Sequence, residues 1–240
     1  MVTPKLSISV EDAVAAPLPP DQELLREGFF REVTTLTAGL VRGEHWRLRL
    51  GPVILFAFAE PRPEPDGWSY PITGGLLVGH AGGSLAFGWQ GGRLRQTLEG
   101  YRPRLPWALY RLTQLPAHHT VSRLLLLRLR GRDPAPGVPA GAAQRLAAAT
   151  VDLGLCAAVA SQAPKRRLLA FGTLAAAYHL GFWAAGGTPG GRLLGQRLIS
   201  IDSSTVSPAQ ALLRLLSLPL GLLRGRALHD EVACTEVIAG

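Results

Sequence analysis

Cysteine is scarce in this chain, and its scarcity narrows the classes of fold that apply. The 240 residues include two cysteines, Cys156 and Cys234, which lie far apart in apolar surroundings. A disulfide framework and a cysteine-based metal site are therefore not expected, and we interpret both thiols as small buried hydrophobic groups. Residues 1–20 lack a basic start followed by an apolar core, so we expect no secretory signal.

Motifs that carry chemistry are equally scarce. The sequence has no nucleophile elbow, no phosphate-binding loop, no metal-ligand spacing and no recognisable nucleic-acid reader. We therefore expect no enzymatic activity, no cofactor, no bound metal and no nucleic-acid partner. We interpret His80, His118 and His119 as ordinary surface or capping residues.

Basic and apolar residues dominate what is present. Lys and Arg number 25 against 17 Asp and Glu, which gives a formal net charge of +8. Hydrophobic residues make up 47% of the chain, and the mean hydropathy is +0.18. A basic chain that is also rich in apolar residues favours an anionic membrane surface as a partner over nucleic acid.

The N-terminal part, residues 1–130, reads as an α+β domain. A helix is predicted from about Asp21, because a proline pair precedes it and apolar residues follow at helical spacing. Short strands separated by glycine turns cover much of residues 45–101. A long helix is predicted from Leu105 to about Arg130, with a kink at Pro116. An antiparallel sheet followed by a long C-terminal helix loosely resembles the START/polyketide-cyclase-like superfamily, which implies an apolar ligand held under that helix.

Aromatic and basic residues of this part have simple interpretations. We interpret Trp46, Trp68, Trp89 and Trp107 as core or pocket-wall residues. The segment RLLLLRLRGR, residues 123–132, has two readings that stay open. It is either the cationic end of an ordinary amphipathic helix or a helix end whose arginines contact anionic headgroups. The Pro- and Gly-rich residues 131–143 are predicted to form a linker with neither helix nor strand.

Two apolar segments dominate the C-terminal part, residues 144–240. Helices are predicted at about 144–161 and 168–188, each near the roughly 20 residues that cross a bilayer. An amphipathic segment is predicted at about 208–223, interfacial or re-entrant in the membrane. Asp152 lies within the first helix, where a mid-membrane carboxylate costs roughly 2.5–3.5 kcal/mol. The alternative is a soluble helical hairpin with an Ala-rich core.

Residues from about 142 to 238 resemble the RDD family of small membrane proteins, named for one arginine and two aspartates. Four segments carry the resemblance in the family's order: RLAAATVD, GGRLLGQRLISID, SPAQALLRLLSLPLGLL and ALHDEVACTEVI. The chain departs from the family at Gln196, where lysine is usual, and at Cys234, where glycine is usual. The positions that fit the motifs are Arg145, Asp152, Gly195, Arg197, His229, Asp230, Ala233 and Thr235.

The resemblance implies a polar network of five residues: Arg145, Asp152, Asp230, His229 and Arg197. Arg145 precedes Asp152 by seven residues, or roughly 10 Å along a helix, too far for a direct salt bridge. Asp152 therefore needs another donor, and Asp230 is expected to pair with Arg145 or with an arginine of the basic stretch. The candidate donors to Asp152 are Arg192, Arg197, Arg214, His229, Tyr178 and His179.

Two interpretations of this network stay open. It is either a buried structural network that fixes helix packing, or a site where Asp152 titrates or binds a cation. The resemblance implies ion or small-solute transport, as proposed for some family members. Two membrane helices are too few to enclose a path, so transport requires a homo-oligomer or another membrane subunit.

Arginines crowd the approach to the first apolar helix and the region after the second. The positive-inside rule then places both ends of the hairpin and the N-terminal domain in the cytoplasm of a multi-pass protein of the cell membrane. Under the transport interpretation that domain is a sensor or ligand holder. In this orientation residues 164–167, which are basic, would lie on the outer side of the membrane. They would not if the hairpin only dips into the bilayer, or if its short loop extends to the near interface. The alternative function is a non-catalytic membrane-tethered module whose N-terminal domain binds an apolar ligand or lipid.

Overall fold

A computed structural model describes residues 7–133, 136–163, 166–224 and 227–240. The chain divides into two compact units, Met1–Gly131 and Arg132–Gly240. We refer to them as the N-terminal and the C-terminal unit.

The N-terminal unit is built on an antiparallel sheet, which confirms the predicted α+β class. Seven of the eight strands follow the order β1-β8-β7-β6-β4-β3-β2 across the sheet, and β5 pairs with β6 outside this order. Strands β1, β2 and β5 were not predicted from the sequence. The strands are β1 (Ile8–Ala15), β2 (Val41–Glu44), β3 (Arg47–Leu50), β4 (Val53–Phe58), β5 (Arg62–Glu64), β6 (Gly67–Gly74), β7 (Ser84–Gln90) and β8 (Arg93–Tyr101).

Helix α1 (Gln22–Leu36) begins where the sequence predicted a helix. The Asp21 carboxylate caps it by accepting hydrogen bonds from the backbone N–H groups of Glu23 and Leu24, at 2.8 and 3.1 Å. Its buried face packs on the sheet through aromatic rings; the Phe29 ring lies 5.3 Å from that of Phe87. The cluster of rings under α1 comprises Phe29, Phe30, Phe58, Tyr70 and Phe87.

The last helical segment of this unit is irregular at its start. It runs as α2 (Trp107–Leu109), a π-helical turn (Tyr110–Gln114) and α3 (Leu115–Arg130). The sequence predicted a kink at Pro116. The wide turn lies directly before it, where a proline that lacks an N–H cannot continue the regular ladder.

The leucine-rich end of α3 faces the interior of the N-terminal unit. Its leucines from Leu124 to Leu127 are almost fully buried. Arg128 Nε donates to a carboxylate oxygen of Glu32 at 2.5 Å. Helix α1 and the sheet cover this ridge, so its leucines are core residues, while contact of its arginines with headgroups stays a prediction.

The C-terminal unit combines helices with a small antiparallel sheet of order β10-β11-β9. Strand β9 (Val138–Pro139) pairs with β11, so the linker predicted at 131–143 contains a strand. Proline is tolerated there because β9 lies at the edge of the sheet. The other elements are α4 (Ala142–Ala160), α5 (Arg167–Ala184), α6 (Pro189–Leu193), β10 (Gln196–Ser200), α7 (Pro208–Arg224), α8 (Leu228–Ala233) and β11 (Thr235–Ala239).

Among the residues that the structure describes, one helix, Ala142–Ala160, is long and apolar enough to cross a membrane by length and composition. Helix α5 has 18 residues, and Arg167, Tyr178 and His179 lower its mean hydropathy. Pro164 and Lys165 of the basic loop between these helices lie outside the described residues.

Candidate functional site: a buried polar network

Helix α4 turns one narrow stripe of side chains toward the rest of the C-terminal unit. The buried residues are Ala148, Asp152, Cys156 and Ala160, each four positions after the last. That spacing places them on one face of the helix. Asp152 is 2% exposed, so the one carboxylate of this helix lies in its buried stripe.

Asp152 is held by uncharged donors. Its Oδ1 accepts hydrogen bonds from the Tyr178 hydroxyl of α5 at 2.7 Å and from the Gly190 N–H of α6 at 2.8 Å. Of the six donors that the sequence proposed, Tyr178 is the one that reaches it. Arg145 on the same helix turns to another partner.

Glycine at position 190 is required by this close approach. A Cβ built there would lie 2.6 Å from the carbonyl oxygen of Ala148 and 2.7 Å from Asp152 Oδ1. The segment TPGG also starts α6, with the Thr188 hydroxyl accepting from the Gly191 N–H at 3.2 Å. The sequence signal was present, since threonine followed by proline is a typical helix start.

A second carboxylate, Asp230 of α8, is the centre of an ion cluster. Its Oδ1 accepts from Arg214 Nε at 2.7 Å and from the Thr235 hydroxyl at 3.2 Å. Its Oδ2 accepts from Arg145 Nη2. The cluster therefore joins α4, α7, α8 and β11 through one carboxylate.

Arg214 is deeply placed for a charged residue. It is 5% exposed, and its guanidinium lies 4.3 Å from the centre of the Trp183 ring in α5. Such a cation–π contact adds to the ion pair when the site is dry. Burial opposes ionisation of Asp230, but Arg214 and Arg145 outweigh it and hold the pKa of that carboxyl below its usual range.

His229 lies beside this cluster without completing it. Its Nε2 is 3.7 Å from Asp230 Oδ1, beyond a direct hydrogen bond. Its buried Nδ1 has no hydrogen-bond partner among the described residues. Burial, with the positive charges of Arg214 and Arg145, lowers the pKa of His229, so the neutral imidazole is favoured.

Helix α7 presents its polar residues inward. Ser207 and Gln210 form a reciprocal cap, with N–H to oxygen distances of 3.1 and 3.2 Å. Gln210 Nε2 also lies 3.0 Å from the carbonyl oxygen of Ala233 and 3.2 Å from that of Cys234. Gln210, Arg214 and Ser217 are all buried. The sequence predicted an amphipathic segment here, but it did not indicate that the polar side is the covered one.

Leu215 and Leu218 of α7 pack on the apolar core around Trp183, whereas two other leucines of this helix take outward positions. Leu212 is 46% exposed and Leu216 is 66% exposed. Helix α4 repeats the pattern, with Leu146, Leu155 and Val159 exposed around the buried Asp152. Both helices thus cover polar groups and expose apolar ones, the reverse of a surface helix in water.

The five predicted network residues separate into three places. Arg145 and Asp230 form the ion cluster with His229 beside it, and Asp152 lies in its own hydrogen-bonded site. Arg197 is exposed on β10 and contributes to neither. It lines an open cleft with Arg192, Ser203 and Thr205.

Gln196 and Cys234, where the sequence departs from the RDD pattern, are both buried. Gln196 is buried, and its Nε2 has no hydrogen-bond partner among the described residues. Cys234 ends α8 in the left-handed conformation, with φ of 52° and ψ of 48°. Glycine adopts that conformation without steric cost, which explains why glycine suits this position. Both cysteines are buried, as predicted.

Comparisons with family models, with curated proteins and with solved structures return no match. The arrangement of the site therefore has to be interpreted from its own residues.

Proposed function

We propose that the C-terminal unit is a membrane-embedded module of the RDD type. The observation that carries the proposal is the reversed burial of α4 and α7. Exposed Leu212 and Leu216 opposite buried Gln210 and Arg214 cost free energy in water. In a bilayer the same pattern is favourable, because lipid covers the leucines and the protein satisfies the polar groups.

The length of the helices supports this proposal. Helix α4 has 19 residues and α5 has 18, close to the roughly 20 that a bilayer crossing requires. The proposed topology is a multi-pass hairpin of α4 and α5, with α7 at the interface and the N-terminal unit on the cytoplasmic side as a sensor domain.

We further propose that this module acts as a subunit for transport of a cation or small solute. Its two buried carboxylates, Asp152 and Asp230, differ in a way that suits separate roles. Asp230 is neutralised by two arginines and holds elements together. Asp152 has only a hydroxyl and a backbone N–H as donors in the described contacts, which leaves its charge available to a cation or proton.

A flux measurement tests the transport proposal. Protein reconstituted in liposomes would be assayed with internal dyes selective for H⁺, Na⁺ and K⁺, each under an imposed gradient of that ion. We expect wild-type flux above the protein-free background and its loss in Asp152→Asn. The exposed Glu231→Gln serves as a carboxylate-to-amide control. A folded Asp152→Asn protein with wild-type flux would refute the role of Asp152, and a wild type without flux would refute transport of these ions.

The alternative function, a tether whose N-terminal domain binds an apolar ligand, has less support. Closely packed rings of Phe29, Tyr70 and Phe87 occupy the space between α1 and the sheet. An open cleft beside α1 is lined in part by Glu27, Arg31 and other polar groups. Of the tryptophans that the sequence offered as core or pocket-wall residues, Trp46 contacts the Phe30 ring and lines this cleft.

A further inference from the structure

A run of exposed side chains lies at the start of the last helical segment in the N-terminal unit. Residues 104–109 and 111–113 are all exposed. Among them Leu112 is 77% exposed and Trp107 is 45% exposed. The interpretation of Trp107 as a core residue is therefore wrong, whereas its interpretation as a pocket-wall residue is confirmed, because it lines an open cleft. The buried Tyr110 anchors the segment, and its ring stacks on Trp107 at 5.7 Å.

Basic side chains surround these apolar ones. Arg102, Arg104 and Arg111 are exposed, and none of the ion pairs in the described part of the chain includes them. The sequence from Gly100 to Arg132 contains no Asp or Glu. This segment therefore presents positive charge that its own residues do not neutralise.

Arginines and the indole also share one concave feature. An open cleft of about 370 Å³ is lined by Arg102, Arg104, Leu105 and Trp107, together with Gly79 and His80. Two guanidinium groups can bind the phosphate of a lipid headgroup. An exposed tryptophan with leucines beside it is typical of the zone where headgroups meet acyl chains.

We infer that residues 102–112 form a docking surface for an anionic lipid bilayer, which we call the Trp107 surface. Leu109 and Leu112 would enter the interface with Trp107, while the three arginines bind lipid phosphates. The inference concerns the N-terminal unit alone and does not require α4 or α5 to cross the bilayer. Charge complementarity selects the bilayer over a second copy of this chain, which carries the same positive surface.

A fluorescent probe on the Trp107 surface tests the inference in the full-length protein. Leu112→Cys would be labelled with an environment-sensitive fluorophore and read in nanodiscs of phosphatidylcholine, with or without phosphatidylglycerol. Leu18→Cys is the matched control, because Leu18 is exposed to a similar degree, 79% against 77%. The wild-type chain, labelled in parallel, gives the background from its two buried cysteines.

We expect a blue shift of the Leu112→Cys probe in anionic discs that salt reverses, and none for the Leu18→Cys probe. Each arginine near an anionic surface contributes favourable binding free energy, and the three together should raise the affinity for an anionic bilayer about a hundredfold. The triple change Arg102→Gln, Arg104→Gln, Arg111→Gln should therefore abolish the blue shift. The charge-matched control changes three other exposed arginines, Arg42→Gln, Arg47→Gln and Arg93→Gln. This control should retain the blue shift.

Three results would overturn the inference. The first is that the probe gives the same spectrum in neutral and in anionic discs. The second is a blue shift that survives the triple change on the Trp107 surface. The third is a blue shift that depends on protein concentration, which would indicate self-association. If the chain does not enter nanodiscs, membrane embedding fails while this inference stays testable. The probe is then read after adding the protein to vesicles of the same two compositions.

Discussion

Replacing Asp230 by asparagine is the sharpest test of the ion cluster. The change preserves the shape of the side chain and one oxygen, but it removes the negative charge shared by two guanidinium groups. Arg214 is 5% exposed, so its charge would remain buried and unpaired. The Arg145 side chain is 26% exposed, so it can turn toward solvent at a smaller cost.

The expected loss of stability follows from this difference in burial. Removing one partner of a buried ion pair costs about 3–5 kcal/mol, and nearly all of that would come from Arg214. For a unit of about this size, such a loss corresponds to a decrease in melting temperature of roughly 10–20 °C. Thermal unfolding of the detergent-solubilised protein, followed by tryptophan fluorescence, measures it, because Trp183 lies against Arg214.

Two further variants separate charge burial from other causes. Arg197→Gln changes an exposed residue outside the cluster and should leave the melting temperature within about 2 °C of wild type. Adding Arg214→Leu to Asp230→Asn removes the unpaired charge and should recover part of the loss. An Asp230→Asn protein that unfolds together with the wild type would refute the reasoning.

Three other changes test the remaining parts of the site. Gly190→Ala places a Cβ 2.6 Å from the Ala148 carbonyl oxygen and should destabilise the protein by about 1–3 kcal/mol in thermal unfolding; an unchanged melting temperature would contradict the close approach. Tyr178→Phe removes a hydrogen bond to Asp152 and should cost about 1.5–3 kcal/mol by the same measurement, whereas a stabilised variant would contradict it. Because the pKa of His229 is lowered in the folded protein, its imidazole binds a proton more readily in the unfolded chain as pH falls below about 6.5. Stability then declines on acidification, and His229→Gln should make that decline shallower in melting temperatures measured across pH; an unchanged slope would contradict the assignment.

Local signals predicted much of the fold. Asp21 was recognisable as a helix start because an acidic cap followed two prolines, and glycine turns marked several of the later strands. The α4 and α5 helices were visible as apolar runs. By contrast, β5 (Arg62–Glu64) lies in a Pro-rich segment whose composition indicates a loop, and it forms only because β6 is beside it.

The site depended on contacts that spacing alone does not specify. The predicted pairing of Asp230 with Arg145, 85 positions away, is confirmed, but the sequence did not indicate that Arg214 shares the same carboxylate. Asp152 could be recognised as a carboxylate in need of a donor, whereas the choice of Tyr178 over five other candidates required the packing of α4 on α5. Trp107 was interpreted by residue type as a core or pocket-wall residue; it lines an open cleft and is 45% exposed.

Membrane extraction tests the central proposal, an embedded C-terminal unit, most directly. Membranes from cells that express the full chain would be washed with alkaline carbonate and then with detergent, and each fraction would be probed for the protein. The reversed burial of α4 and α7 predicts that the protein stays with the membrane through carbonate and is released by detergent. Release by carbonate would contradict the proposal, because helices held only at the surface separate under that treatment.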